Sequence, residues 1–374
     1  VPALAPIFYN IGIILGTIFL SKSLGLMGPA IGVVIGALLH FLIQYPLSRR
    51  LGFHFTLNPK VDDDVKKIGK LAFPRVIDLS FDQLGKTTEL FLASLISKAS
   101  YTYYTFANSL QLLPVSLFGT SLAKAVLPLL SRQDENKKEF KKILLTAMFQ
   151  AIFLTLPLAA ALIVLRVPIV RLIYGTKIFD WEATLATGSV LVAFSFGIVF
   201  QTLMAILSRA FFALHDTKTP VIISFIGLFL LIAGDFILIL GLNYPVWALA
   251  ASFSFSVFVE SIILLILINK KIGRIISWEF AGRIIKILSA TFFSGGFMFF
   301  ILKIFDRSVW VKRLSFLGAF ESTHNFPFEN FVLDTRYGFN LLILTVATFL
   351  IGSASYFLVS YALRVPEAGY FVKL

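Results

Sequence analysis

The sequence predicts an all-α, polytopic membrane protein with about ten transmembrane helices. The first observation is composition, because 58% of the 374 residues are apolar and only 14% are charged. Average soluble domains are about 45–50% apolar and about 25% charged, so this chain has too few polar residues to cover a water-facing surface. The second is a mean hydropathy of +0.88. The third is the spacing of the apolar residues, which fall into separate stretches of spanning length.

A hydrocarbon core about 30 Å thick is crossed by about 20 apolar residues in a helix. Ten stretches of the chain satisfy this length, and they run as follows: Pro6–Leu24, Pro29–Leu47, Leu71–Ile96, Tyr103–Leu130, Phe140–Leu165, Thr184–Phe212, Pro220–Leu240, Pro245–Ile268, Ile284–Ile304 and Tyr337–Leu363. The fourth contains Pro114, which predicts a kink. Between the fifth and sixth, Pro168–Tyr174 is too short to span and is predicted to form an interfacial turn.

The orientation follows from the distribution of Lys and Arg, which accumulate in cytoplasmic loops. The loops after the second, fourth, sixth and eighth spans, together with the C-terminal tail, hold 20 of the 33 basic residues, and the opposite side holds 10. Both ends of the chain are therefore predicted to be cytoplasmic. The segment from residue 51 to residue 70 mixes apolar and basic residues, which is compatible with an amphipathic segment on anionic lipid or with a solvated linker.

Several chemistries are excluded or disfavoured by the residue types present. Cysteine is absent, which removes disulfides, thiolate nucleophiles and cysteine metal sites, and the four histidines have no ligand spacing. The net charge of +13 is distributed between apolar spans, so it indicates juxtamembrane charge and no nucleic-acid partner. Asp62, Asp63 and Asp64 match the D-x-D pattern of metal-dependent glycosyltransferases, but an acidic helix start explains them better. No catalytic motif is present, so we expect no enzymatic activity and no metal or organic cofactor.

The third span carries a stripe of ionisable residues, which is unusual in a lipid-embedded helix because each costs about 2.5–3.5 kcal/mol to insert. At about 100° per residue the five lie within an arc of about 80°. Pairing within the helix is the alternative explanation, but the length of the stripe favours a hydrophilic cavity. Its members are Arg75, Asp78, Asp82, Lys86 and Glu89.

Other polar residues in spans extend this candidate site. Asn108, Ser109 and Gln111 precede the Pro114 kink and are expected beside the stripe, although such groups also bind helices together in membranes. A second candidate set offers oxygen ligands for a coupling Na⁺ or a carboxyl group for H⁺, with Asp235 expected near Asp78 or Asp82 and a serine of the eighth span. Its members are Asp235, Ser252 and Ser256.

Glycines at four-residue spacing mark the first two spans. They are Gly12 and Gly16 in the first, and Gly28, Gly32 and Gly36 in the second. Small residues at this spacing allow helix backbones to approach closely in membranes. The pattern therefore predicts tight packing between these two helices and no chemistry.

Five stretches together resemble the MurJ (MviN) family of lipid-linked peptidoglycan precursor flippases, within the multidrug and polysaccharide exporter superfamily. They are APIFYNIGIILG from Ala5, IGVVIGALLHFLIQYP from Ile31, LQLLPVSLFGTSLAKAVLPLLSR from Leu110, PIVRLIYGTKIFD from Pro168 and SRAFFALHDTKTPV from Ser208. The resemblance runs in family order from Pro2 to about Lys271, and the last two spans fit by position only.

The resemblance implies a fourteen-helix, two-lobe fold of which this chain holds the last ten helices, with the first four missing. Residues 1–50 would be the last two helices of the N-terminal lobe, 51–70 a cytoplasmic amphipathic linker, 71–270 a six-helix C-terminal lobe, and 271–374 two additional helices with an extracytoplasmic loop. It also implies a central cavity with basic residues that bind a lipid pyrophosphate. The family carries an arginine where this chain has Ser109, and Arg75 and Lys86 are the nearest cationic substitutes.

The leading functional hypothesis is a flippase that moves undecaprenyl-pyrophosphate-linked peptidoglycan precursor (lipid II) to the outer leaflet of the bacterial inner membrane by alternating access. Its partners would be this lipid-linked oligosaccharide and the bilayer. The alternatives are a cation-coupled multidrug or polysaccharide exporter, a membrane glycosyltransferase using Asp62–Asp64, and an inactive truncated scaffold.

Overall fold

The computed structural model describes residues 4–52, 63–133, 136–176, 178–273, 275–306, 333 and 337–372. These residues are almost entirely helical, and no strand occurs among them. The helices, numbered in chain order, are α1 (Ala5–Leu24), α2 (Met27–Arg50), α3 (Asp63–Ile96), α4 (Ser100–Ser131), α5 (Lys137–Val164), α6 (Arg166–Tyr174), α7 (Trp181–Ala213), α8 (Lys218–Gly241), α9 (Trp247–Ile272), α10 (Trp278–Phe305), α11 (Gly338–Ala362) and α12 (Pro366–Val372).

Nine helices of the described part are long and apolar enough to cross a membrane. The helix α3 is also long, at 34 residues, but it carries the charged stripe and does not reach the same hydropathy. Each of the ten predicted spans thus falls on a helix, and the prediction of an all-α polytopic membrane protein is confirmed.

Three local details differ from the sequence predictions or refine them. The helix α3 begins at Asp63, inside the predicted linker; Asp63 pairs with Lys66 at 2.9 Å one turn later, while residues 53–62, including Asp62, lie outside the described part. After Pro114, α4 continues in π-helical turns over Val115–Thr120, because proline removes a backbone donor and disturbs the α-helical ladder. The predicted interfacial turn is wrong in form, because α6 is a short helix.

The described residues form two compact units, Val1–Gly69 and Lys70–Leu374. In the first unit, α1 and α2 pack through their glycines. A Cβ atom on Gly12 would lie 2.4 Å from the Cα atom of Gly36, and one on Gly16 would lie 2.4 Å from the Cα atom of Gly32. The predicted close approach of these helices is confirmed.

In the second unit, α7 is the central helix and packs against α4, α5, α6 and α9. Its contact with α9 is close at Gly197, where a Cβ atom would lie 2.7 Å from Ser254 Oγ. Ser254 Oγ also donates a hydrogen bond to the Ala193 carbonyl oxygen at 2.7 Å. The helices α10 and α11 pair with each other and join this group through α5, where the Tyr356 hydroxyl donates to the Phe153 carbonyl at 2.8 Å.

Candidate functional site: a charged intramembrane cavity

A cavity of about 390 Å³ lies inside the second unit, between α3, α4, α7, α8 and α9. Its volume is within the range of about 300–1,000 Å³ that is typical of ligand sites. Unlike such sites, however, its wall carries charges of both signs at the level of membrane-spanning helices. The charged residues that line it are Asp82, Lys86, Glu89, Arg209 and Glu260.

The helix α3 contributes three of these charges because Asp82, Lys86 and Glu89 are spaced by four and three residues, which places them on one helical face. Asp82 and Lys86 are exposed, whereas Glu89 is buried. The Tyr104 hydroxyl on α4 donates a hydrogen bond to Glu89 Oε1. Three of the five stripe residues therefore meet one cavity. The side chains of the other two, Arg75 and Asp78, lie outside the described part.

The polar residues before Pro114 separate into three environments. Asn108 lines the cavity one turn after Tyr104. Gln111 is fully buried, and its Nε2 donates to Asn108 Oδ1 at 2.8 Å. Ser109 is exposed outside the cavity lining, and its Oγ donates to the Thr105 carbonyl at 2.9 Å. The side chain of Ser109 therefore does not face this cavity. Gln111 does not line the cavity either, and it is connected to the cavity wall through its hydrogen bond to Asn108.

The opposite wall comes from α8 and α9, where Glu260 packs directly over Gly227. A Cβ atom on Gly227 would lie 2.0 Å from Glu260 Oε1, so a larger residue there would displace this carboxylate from its position. Ser256 Oγ lies 2.7 Å from the Gly227 carbonyl oxygen and 3.2 Å from Glu260 Oε1. Its single hydroxyl proton serves one of these acceptors at a time, so Ser256 links the carboxylate to the backbone of α8.

Asp235 on α8 lies outside the cavity lining and is fully buried. Neither of its carboxylate oxygens, nor Ser252 Oγ on the adjacent α9, has a hydrogen-bond partner of ordinary geometry in the described part of the chain. Ser252 lies beside α8 at Gly234, the residue before Asp235, and among the described residues Glu89 contributes negative charge near this carboxylate. The structure thus brings Asp235 together with Ser252 and Glu89. Ser256 belongs to the separate contact with Glu260.

Tyr104 and Arg209 are polar cavity residues that were not singled out from the sequence. Tyr104 lies one turn before Asn108 on the same face of α4, and this spacing was the available signal. Arg209 falls near the end of the predicted sixth span and was counted only among the cytoplasmic basic residues, but it lies in the last turns of α7 and lines the cavity, where its Nη1 donates to the Ala205 carbonyl at 3.0 Å.

The family relationship follows from a direct comparison. The family model described as lipid II flippase MurJ matches residues 1–320. This chain belongs to the MurJ family. Membership agrees with the resemblance seen in the five sequence stretches, and it makes the chain part of a membrane transporter lineage.

Individual MurJ relatives support the same conclusion. The probable lipid II flippase MurJ of Aquifex aeolicus is 28% identical over 299 residues, covering 80% of this chain and 58% of the relative. The lipid II flippase MurJ of Thermosipho africanus is 31% identical over 221 residues, covering 59% of this chain and 45% of the relative. A solved MurJ structure in an inward closed conformation has a TM-score of 0.67 at 26% identity and covers 95% of this chain and 67% of that one. The chain thus spans about half the length of the curated relatives it matches.

Proposed function

We propose that this protein moves lipid II from the cytoplasmic to the outer leaflet of the bacterial inner membrane by alternating access. The observation that carries the proposal is the cavity of charged residues among membrane-spanning helices in a chain of the MurJ family. Charged groups inside a membrane are expensive and usually mark a substrate or ion pathway. A substrate with an anionic, sugar-bearing head would use such a pathway.

Two cations among the described cavity residues supply the groups that an anionic lipid head requires. Lys86 and Arg209 lie on α3 and α7, and both line the cavity. Hydrogen bonds from such charged groups to phosphate oxygens are stronger than hydrogen bonds between neutral groups. The remaining polar lining, including Asp82, Asn108 and Gln201, would hydrogen-bond sugar hydroxyls. Arg75, whose side chain lies outside the described part, stays a further predicted cation of the same helix.

Replacement of one cavity cation tests this function. The Lys86→Gln variant should lose the ability to support growth of bacteria depleted of their own flippase, with precursor accumulating in the cytoplasmic leaflet. A charge-assisted hydrogen bond contributes about 1.5–3 kcal/mol, so headgroup affinity should fall about tenfold or more. The matched control is Lys124→Gln, because Lys124 is an exposed lysine of α4 outside the cavity lining.

The amount of protein in the membrane distinguishes loss of binding from loss of folding. Substrate binding by Lys86 is refuted if the glutamine variant rescues growth as well as the parent does at equal protein levels. Loss of rescue together with loss of protein would instead assign Lys86 to folding, through its neighbours Asp82 and Glu89.

We further propose that Asp235 couples transport to an H⁺ or Na⁺ gradient. A fully buried carboxylate is costly as a bare anion, and neither Asp235 oxygen makes a hydrogen bond of ordinary geometry among the described residues. A bound proton or Na⁺ would neutralise it, with Ser252 as an additional oxygen ligand.

The Asp235→Asn variant should therefore lose stimulation of transport by an imposed gradient in vesicles. The Glu279→Gln variant, which changes an exposed acid at the start of α10, should keep it. Unchanged gradient dependence in Asp235→Asn would contradict the coupling role.

The distribution of basic residues supports a cytoplasmic location for both ends of the chain. Because the sequence contains no cysteine, single cysteines report on sidedness without a background. A membrane-impermeant maleimide should label cells at Lys98→Cys and spare Thr217→Cys. The opposite labelling pattern would reverse the orientation.

A further inference from the structure

A second concave surface lies on the outer face of the second unit, between α7 and α9. It is a groove of about 580 Å³ whose base is formed by small side chains, chiefly Ala193, Ala251 and Ser254. Its walls are aromatic: Phe196 on one side is 64% exposed and Phe255 on the other is 58% exposed. The groove is therefore open on its outer side, and the close contact of the two helices lies beneath it.

The two ends of the groove differ in chemistry. One end carries Arg166 and Trp247, and the other is closed by Phe200 and Phe258, whose rings meet edge to face at a centroid distance of 4.8 Å. The stem of Arg166 lies across Gly188, 3.6 Å from the position of a Cβ atom there. Within the part of the chain that the structure describes, the guanidinium of Arg166 makes no hydrogen bond and no ion pair. The groove thus has one cationic mouth and one apolar end.

The length of the groove matches half of a bilayer. Its lining on α7 runs from Ser189 to Phe200, and its lining on α9 runs from Trp247 to Phe258. Each distance is eleven residues, or about 16 Å at 1.5 Å per residue. One leaflet contributes about 15 Å of a hydrocarbon core about 30 Å thick. Tryptophan is also the residue type that favours the headgroup level, which places the mouth of the groove at the membrane surface.

We propose that this groove is a binding site for an anionic glycerophospholipid of the leaflet at its Arg166 end. One acyl chain lies over Ala193 and Ala251 between the phenylalanine walls, and the phosphate contacts the Arg166 guanidinium. The aromatic end at Phe200 and Phe258 stops the chain near the bilayer midplane, so the site fits a single-leaflet acyl chain better than a long polyisoprenyl tail. The site is separate from the charged cavity and does not depend on the transport proposal.

Tryptophan quenching by brominated phospholipids tests the site directly, because Trp247 lines it. Replacing Trp181, Trp278 and Trp310 by phenylalanine leaves Trp247 as the single reporter in vesicles. Brominated phosphatidylglycerol should quench it at about one-fifth of the mole fraction that brominated phosphatidylcholine requires, a fivefold preference that corresponds to about 1 kcal/mol. Arg166→Gln should abolish the preference. Lys98→Gln, which removes an exposed cation two membrane crossings away on the same side, should preserve it.

A second pair of variants tests occupancy of the groove independently of charge. Ala251→Phe fills the base and should weaken quenching by both lipids, whereas Leu350→Phe, at an exposed position of α11, should not. Equal quenching by the two lipids in the parent protein, or a preference that survives Arg166→Gln, would overturn the proposal. Displacement of the brominated phospholipid by an equimolar amount of undecaprenyl phosphate would also overturn it, by assigning the groove to the transported lipid.

Discussion

The contact between α1 and α2 allows a quantitative prediction, because it joins two glycine backbones without intervening side chains. In Gly12→Ala the new Cβ atom would lie 2.4 Å from the Cα and N atoms of Gly36. Carbon atoms in contact are about 3.5–4.0 Å apart, so the helices must separate by about 1 Å or more. Overpacking of this kind costs about 1–3 kcal/mol, which is a factor of about 5 to 150 in helix pairing.

Disulfide cross-linking in membranes measures this pairing, since the parent sequence has no cysteine. The backbone of Tyr9 on α1 lies against Gly36 of α2, one turn before His40, and the rings of Tyr9 and His40 face each other, so the double variant Tyr9→Cys, His40→Cys should cross-link under mild oxidation. Adding Gly12→Ala should reduce the cross-linked fraction by at least fivefold.

The control for this experiment is Gly296→Ala in α10, because nothing lies within 4 Å of a Cβ atom at that position. Alanine is about 0.5–1 kcal/mol better than glycine inside a helix, so the control should leave cross-linking unchanged. Equal cross-linking in the parent and in Gly12→Ala would show that the glycine contact does not hold these helices together.

Two further predictions concern ion pairs outside the cavity. Partial burial raises the pKa of Asp216, but hydrogen bonds from Lys271, at 2.8 Å, and Thr219 outweigh it and hold the pKa below the ordinary 3.8. The charged form therefore stabilises the fold above pH 3.8, and this contribution is lost as pH falls through the lowered pKa. Asp216→Asn should reduce the free energy of unfolding by about 1 kcal/mol at pH 7, which a lower midpoint of heat denaturation would show. The difference from the parent protein should vanish in strong acid, and a difference that persists there would contradict the assignment. Arg283 pairs with the buried Glu367 at 2.5 Å. Arg283→Met should therefore lower the free energy of unfolding by about 3 kcal/mol, because it leaves a buried carboxylate unpaired. The double variant with Glu367→Leu should recover most of the loss in the same assay, and a double variant as unstable as the single one would refute this explanation.

The charged stripe shows how far sequence periodicity reaches into the site. The spacing of Asp82, Lys86 and Glu89 alone places them on one face of a helix, and that face does line a cavity. The periodicity could not indicate that Tyr104 binds Glu89 or that Glu260 packs over Gly227. Those contacts depend on the rotation and relative height of neighbouring helices, which the pattern of a single helix does not encode.

Asp235 illustrates the same limit between helices. Its burial could be expected from its position in an apolar span, and a serine of the following span was expected nearby. Among the described residues, the acid whose charge reaches Asp235 is Glu89 and not the expected Asp82; the side chain of Asp78 lies outside the described part. The relative height of α3 and α8, which the sequence of neither helix encodes, decides which acid it meets.

The sequence by itself determined that the chain is an all-α membrane protein, where its helices lie, and which helix carries charge into the membrane. These properties are local, because a bilayer requires each spanning segment to be apolar and to satisfy its backbone hydrogen bonds internally. Only the tertiary structure decided that α3, α4, α7, α8 and α9 enclose one cavity, that Ser109 lies outside it and Arg209 inside, and that α7 and α9 form an aromatic-walled groove with Arg166 at one end. Packing between helices is set by small residues and by polar contacts distant in sequence, and no single helix specifies it.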